Sequence, residues 1–93
     1  SQLAHVVSNA YVKSPRAAGH AGFSAGSFAD LTRVARLDER LWCELFLENR
    51  DNLLVEIDML QDALRQYRDA LAAEDAVRLT ELLKAGRERK ESL

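Results

Sequence analysis

The chain predicts an all-α fold, and three observations predict it. Apolar residues recur at helical spacing through most of its 93 residues. The stretch from Glu39 to Ala72 contains no proline or glycine. No segment shows the apolar–polar alternation of a half-buried strand. The architecture expected is a set of short helices, then a long helix and a C-terminal helix antiparallel to it, in one small domain over residues 1–93.

The first helix runs from Ser1 to about Val12. Leu3, Val7 and Ala10 fall on one stripe of it, and Ser1, His5 and Ser8 on the opposite one. The following "KSPRAAGHAGFSAG" holds the only proline and all but one of the four glycines, so it reads as a loop. A short helix then starts at Ser27, where "SFAD" has the layout of a capping box with an acid at the third helical position. It ends near Arg36 or Leu37, and Asp38 caps the next helix.

That next helix, Glu39 to Ala72, would be about 50 Å long at 1.5 Å per residue. Phe46, Leu53, Ile57, Leu60, Leu64, Tyr67 and Leu71 form a heptad-like seam along it. Asp51, Asp58, Asp62, Arg65 and Asp69 form its solvated side. A last helix, from about Asp75 to Glu91, carries Val77, Leu79, Leu82 and Leu83 and folds back on the long one. Gly86 lies inside it, at a cost of about 1 kcal/mol against alanine. The two short partners cannot cover a helix of this length, so the rest of the seam predicts self-association as a homodimer.

Composition closes off several classes. The net charge of −2 provides no basic field for nucleic acid or an anionic membrane. One cysteine, Cys43, rules out an internal disulfide and any C-x-x-C metal site, and fits a reducing cytoplasmic setting. Cys43 sits among apolar residues and is expected to be packed. No run approaches the roughly 20 apolar residues of a membrane span. The chain opens on "SQLAHVV", without methionine, which suggests a piece of a longer protein. There is no glycine-rich phosphate loop after a strand and no nucleophilic triad.

What remains is a set of residues with two readings each. His5 is either a surface histidine or part of a polar face with Ser1 and Ser8. Asp30 and Arg33 are i, i+3 neighbours, so a helical ion pair with Asp30 at a helix start accounts for them as well as a binding role does. Trp42 can be plain core. Asn49 interrupts an apolar stretch and must be hydrogen-bonded if buried, tying its helix to the loop above.

In combination these residues resemble a known pattern. "SQLAHVV" looks like the S-H-L-P-H segment that opens the C-terminal helical domain of prephenate dehydrogenases. "AGSFADLTRVA" looks like that family's G-G-F-x-D-x-T-R-I-A, and "LDERLWCELFLENR" like its S-D-P-x-L-W-x-D-I-x-x-x-N-[RK]. Order and spacing hold from Ser1 to Arg50, and the two closing helices match in length and character. Gln2, Ala4, Ser27 and Glu39 depart from the family's usual residues.

The resemblance implies a helical dimerisation domain like the C-terminal domain of 6-phosphogluconate dehydrogenase. It implies an enzyme that oxidatively decarboxylates prephenate, or acts on arogenate, with NAD or NADP on the route to tyrosine. The cofactor and the catalytic histidine would belong to a Rossmann domain absent from this chain, which alone would be inactive. Arg33 would grip a substrate carboxylate and Asp30 would orient it. His5 and Ser1 would line the pocket, Trp42 would buttress the arginine's helix, and Gly26 would allow a close approach of the loop. Two other readings stand beside this one: a stand-alone helical dimerisation module, and an all-α chorismate mutase. The latter needs several inward-facing basic residues, of which Arg50 is the main candidate.

Overall fold

The computed structural model describes residues 2–15 and 25–93, and among them the chain is all α. The described elements are α1 (Gln2–Val12), α2 (Ala25–Thr32), a 3-10 turn (Arg33–Ala35), α3 (Glu39–Glu48), α4 (Arg50–Ala72) and α5 (Ala76–Glu91). They fall into two compact units, Ser1–Glu56 and Ile57–Leu93, with the boundary inside α4. Ser1, His20 and most of the expected loop lie outside the described residues.

In the first unit, α1 packs against α2 and the 3-10 turn. Tyr11 meets Phe28 with ring centroids 6.4 Å apart, joining α1 to α2. Ser8 is 1% exposed, and its Oγ has no hydrogen-bond partner among the described residues. The stripe of α1 that carries His5 and Ser8 is therefore packed, while Ala10 of the apolar stripe is exposed.

The second helix departs from expectation at both ends. It starts at Ala25, so Ser27 lies within its first turn rather than at its cap, and Gly26 is helical rather than in a loop. It stops at Thr32, whose Oγ1 donates to the Phe28 carbonyl at 2.7 Å. The chain then tightens into the 3-10 turn before Asp38. Asp38 caps α3 as expected, its Oδ1 accepting from the backbone N–H groups of Arg40 and Leu41.

The long helix is interrupted once, at Asn49, whose φ of −111° and ψ of 27° separate α3 from α4. Asn49 is half-buried and hydrogen-bonded, but its partners are not in a loop. Its Nδ2 donates to Gln2 Oε1 of α1 at 3.0 Å, and its Oδ1 accepts from Asn52 Nδ2 at 3.0 Å. Cys43 is exposed, contrary to expectation. The inward stripe of α3 is Trp42, Leu45, Phe46 and Asn49, at i, i+3, i+4 and i+7, and Cys43 lies beside it.

In the second unit, α4 ends in a left-handed residue, Glu74 with φ 51°. The Asp75 N–H donates to the Ala70 carbonyl and the Glu74 N–H to the Leu71 carbonyl, the paired bonds of a Schellman motif. Asp75 then caps α5 through the Arg78 N–H at 2.9 Å. The helices fold back on each other as expected. Tyr67 Oη donates to the Leu82 carbonyl at 3.2 Å, and Arg78 donates to Gln66 Oε1 at 3.1 Å.

The apolar seam is only partly covered. Leu53 is buried and Ile57, Leu60 and Tyr67 are half-buried, but Leu64 and Leu71 are 58% and 61% exposed. Met59, Val77 and Leu83 are also exposed. Leu53 and Ala70 are the only buried apolar side chains among the described residues, so the single chain closes very little core.

Candidate functional site

The first unit assembles on one stripe of α1. Gln2, His5 and Asn9 follow one another at i, i+3 and i+7, so they share a face. Gln2 accepts from Asn49. The His5 ring stacks on Trp42 with centroids 3.8 Å apart and planes 22° from parallel. Asn9 Nδ2 donates to the Ala35 carbonyl at 3.3 Å. As α1 advances through 2, 5 and 9, its partners recede through 49, 42 and 35. The segment from the 3-10 turn to the end of α3 thus runs antiparallel to α1 and is held at its two ends and in between.

Trp42 in turn meets Phe46, with centroids 5.7 Å apart, so the histidine rests on an aromatic pair from α3. The half-buried His5 is no ordinary surface residue. Trp42 supports this histidine, so its ring contact is with α1.

Arg33 opens the 3-10 turn and is exposed. It makes no ion pair or side-chain hydrogen bond among the described residues, and Asp30 does not reach it. The expected Asp30–Arg33 pair assumed a continuous α-helix. Because α2 ends at Thr32, Arg33 leaves the helical path on which i, i+3 side chains meet. Arg36 and Arg40 are likewise exposed and without an ion pair among the described residues. Gly26 is exposed, and a Cβ built on it would meet nothing within 4 Å among the described residues, so none of these demands glycine there. Ser1 lies outside the described residues.

An open groove of about 520 Å³ runs between α1 and α3, floored by Val6, Ala10, Leu37, Trp42, Phe46 and Leu47. Its lining is mainly apolar, with Lys13 as its one cation beside Glu39, and neither Arg33 nor His5 contributes to it. Among the described residues no three His, Cys, Asp or Glu side chains gather as a metal site. None of the described helices is long and apolar enough to cross a membrane. The described residues contain no strand and no glycine-rich strand-to-helix turn. Arg50 is exposed and paired with Asp51 at 2.7 Å, and Arg65, Arg68 and Arg78 are exposed and paired with nearby acids. The inward-facing basic residues of the chorismate mutase reading are not found at these positions.

Sequence reasoning missed Gln2 and Asn9 as structural ties. Their signal was present, since both lie in register with His5 on α1. Their partners, Asn49 and the Ala35 carbonyl, are distant in sequence and carried no local mark.

Comparison with known proteins follows the same motifs. The sequence model described as "Prephenate dehydrogenase, dimerization domain" matches residues 1–85. The cyclohexadienyl dehydrogenase of Zymomonas mobilis is 44% identical over 62 residues, covering 67% of this chain and 21% of that protein. The prephenate dehydrogenase of Bacillus subtilis is 30% identical over 71 residues, covering 76% of this chain and 19% of that protein. The chain therefore spans about a fifth of the length of these curated relatives. No solved structure matches at comparable significance.

Proposed function

This chain belongs to the family of the prephenate dehydrogenase dimerization domain, and from that premise we propose that it serves a full-length dehydrogenase as dimer interface and as one wall of the substrate pocket. The substrate is prephenate or arogenate, and the reaction is oxidative decarboxylation with NAD or NADP, the dinucleotide being held by residues outside this chain. The observation that carries the reading is Arg33. It stands in the F-x-D-x-T-R-V-A motif, exposed, on a turn packed against α1, with no acid among the described residues competing for it.

Prephenate is a dianion. A planar guanidinium can grip one carboxylate through two parallel N–H···O bonds, which fixes orientation as well as charge. His5, held flat on Trp42, is the second pocket group; the family resemblance adds Ser1 to it. Gly26 leaves room for a neighbouring chain to approach. Asp30 keeps no role in holding the arginine. The uncovered leucines of α4 and α5 meet those of a second copy, giving a homodimer through the long helix.

The test is steady-state kinetics of the full-length protein. Arg33→Ala is expected to raise KM for prephenate or arogenate by about ten-fold or more with a smaller change in kcat, as loss of substrate binding does. An unchanged KM contradicts the assignment.

A further inference from the structure

Asp30 does not touch Arg33, so something else must set where the guanidinium sits. We propose that Asn9 is a positioning residue for Arg33: by donating to the Ala35 carbonyl, it pins to α1 the 3-10 turn that presents the arginine. This rests on the reading of Arg33 as the carboxylate grip.

The turn is only three residues long, Arg33–Ala35, and its leading residue, Thr32, makes no side-chain cap to it. Thr32 instead bonds back to Phe28, which secures the end of α2 and leaves the turn itself untied. The last carbonyls of a helical segment lack partners within it, so Ala35 is a natural place for an outside donor. Asn9 supplies that donor from 26 residues away, across the packing of α1 on the turn. In a turn this short, fixing the terminal carbonyl also fixes the rotation of the residue two places before it. Asn9 lies on the stripe that holds His5 against Trp42, so one face of one helix sets the separation of His5 and Arg33. Two groups that contact the same small dianion need that separation held closely, because small misplacements of binding groups are costly.

The experiment is a double-mutant cycle on the full-length protein, with prephenate and arogenate as substrates. Asn9→Leu keeps the branched shape and removes the donor. It should raise KM about three- to ten-fold, the loss of one hydrogen bond's worth of placement, with kcat within about two-fold. Asn9→His, which retains an N–H at a matching position, should restore KM. In the Arg33→Ala background, Asn9→Leu should change KM no further, because the group it positions is gone. If Asn9→Leu does not yield folded protein, Asn9→Ala gives the same readout.

An unchanged KM in Asn9→Leu overturns the proposal, as does a fall in kcat alone. Full additivity with Arg33→Ala overturns it too, because a merely structural role would add. The cycle separates the two claims. If Arg33→Ala itself leaves KM unchanged, the carboxylate-grip reading has failed and this proposal falls with it. If Arg33→Ala raises KM and Asn9→Leu does not, only the positioning role is lost.

Discussion

The two units of the chain tie their elements together and pair their charges differently. In Ser1–Glu56 the ties between elements are neutral: Gln2 to Asn49, His5 to Trp42, Asn9 to the Ala35 carbonyl. Among its described residues the single ion pair is Arg50–Asp51, at the start of α4, and Arg33, Arg36 and Arg40 stand without one. In Ile57–Leu93 most of the basic residues are paired along the helix surfaces, as in Arg65–Asp62, Arg78–Glu81, Lys84–Glu88 and Arg87–Glu91, while Arg89 and Lys90 are not among the described residues. Apolar side chains stand uncovered there, at Met59, Leu64, Leu71, Val77 and Leu83, as Leu41, Leu47 and Val55 do in the first unit. Cations left unpaired beside rigid neutral ties suit an anionic ligand. Leucines left uncovered beside paired charges suit a protein partner.

The largest effect expected is on assembly. Leu64→Glu with Leu71→Glu places two carboxylates on the uncovered seam, where burial of unpaired charge is prohibitive. Sedimentation should show the wild-type chain as a dimer and the double variant as a monomer. A variant that still dimerises would place the interface elsewhere.

Trp42→Ala comes next. It removes the ring under His5 and the contact with Phe46, and should destabilise by about 2–3 kcal/mol, somewhat less than for a fully buried tryptophan. Denaturant titration measures this. A loss below about half a kcal/mol, the range of ordinary surface changes, would mean the stack carries little of the first unit's stability.

Two substitutions should stabilise by about 1 kcal/mol each. Ser8→Ala removes a hydroxyl that is buried without a partner among the described residues. Gly86→Ala adds a methyl where a Cβ would lie 3.7 Å from Tyr67 Oη, an ordinary contact, and raises helix propensity. Thermal melts of the single variants check both, and a lowered melting temperature for either would contradict the local packing described above.

The smallest effect is at the surface pairs of the second unit. Lys84→Ala should cost no more than about 0.5 kcal/mol, since Lys84 and Glu88 are exposed and 3.8 Å apart. A larger loss, read by the same melts, would show that these charges hold the hairpin together rather than merely keep it solvated.

What could be foreseen from the sequence divides along the same line. The second unit is built from local rules. Asp75 before a helix, leucines at helical spacing and a short connection were enough to place the end of α4 and the whole of α5, although the long helix was read straight through Asn49, where α3 and α4 separate. The sole oddity there, Glu74 in a left-handed conformation, follows from the turn's need for a positive φ and not from any preference of glutamate. The first unit was only partly legible. Asp38 announced its cap. The Ser27 cap and the Asp30–Arg33 pair were misread because both assumed a helix starting at Ser27 and running on past Arg33. Asn49 was recognised as a polar break, yet its partner Gln2 lies 47 positions away. The stack of His5 on Trp42 has no local signature at all, since it exists only once α1 and α3 lie together.

The most direct measurement is equilibrium binding of prephenate and arogenate to the full-length protein, by calorimetry and without turnover. It compares Arg33→Ala in the first unit with Arg65→Ala in the second, both exposed arginines, one without an ion pair among the described residues and one paired with Asp62. The account predicts that Arg33→Ala weakens binding by about ten-fold or more, the worth of a charged hydrogen-bonding partner, and that Arg65→Ala leaves it unchanged. Equal effects of the two, or none from Arg33→Ala, would contradict it.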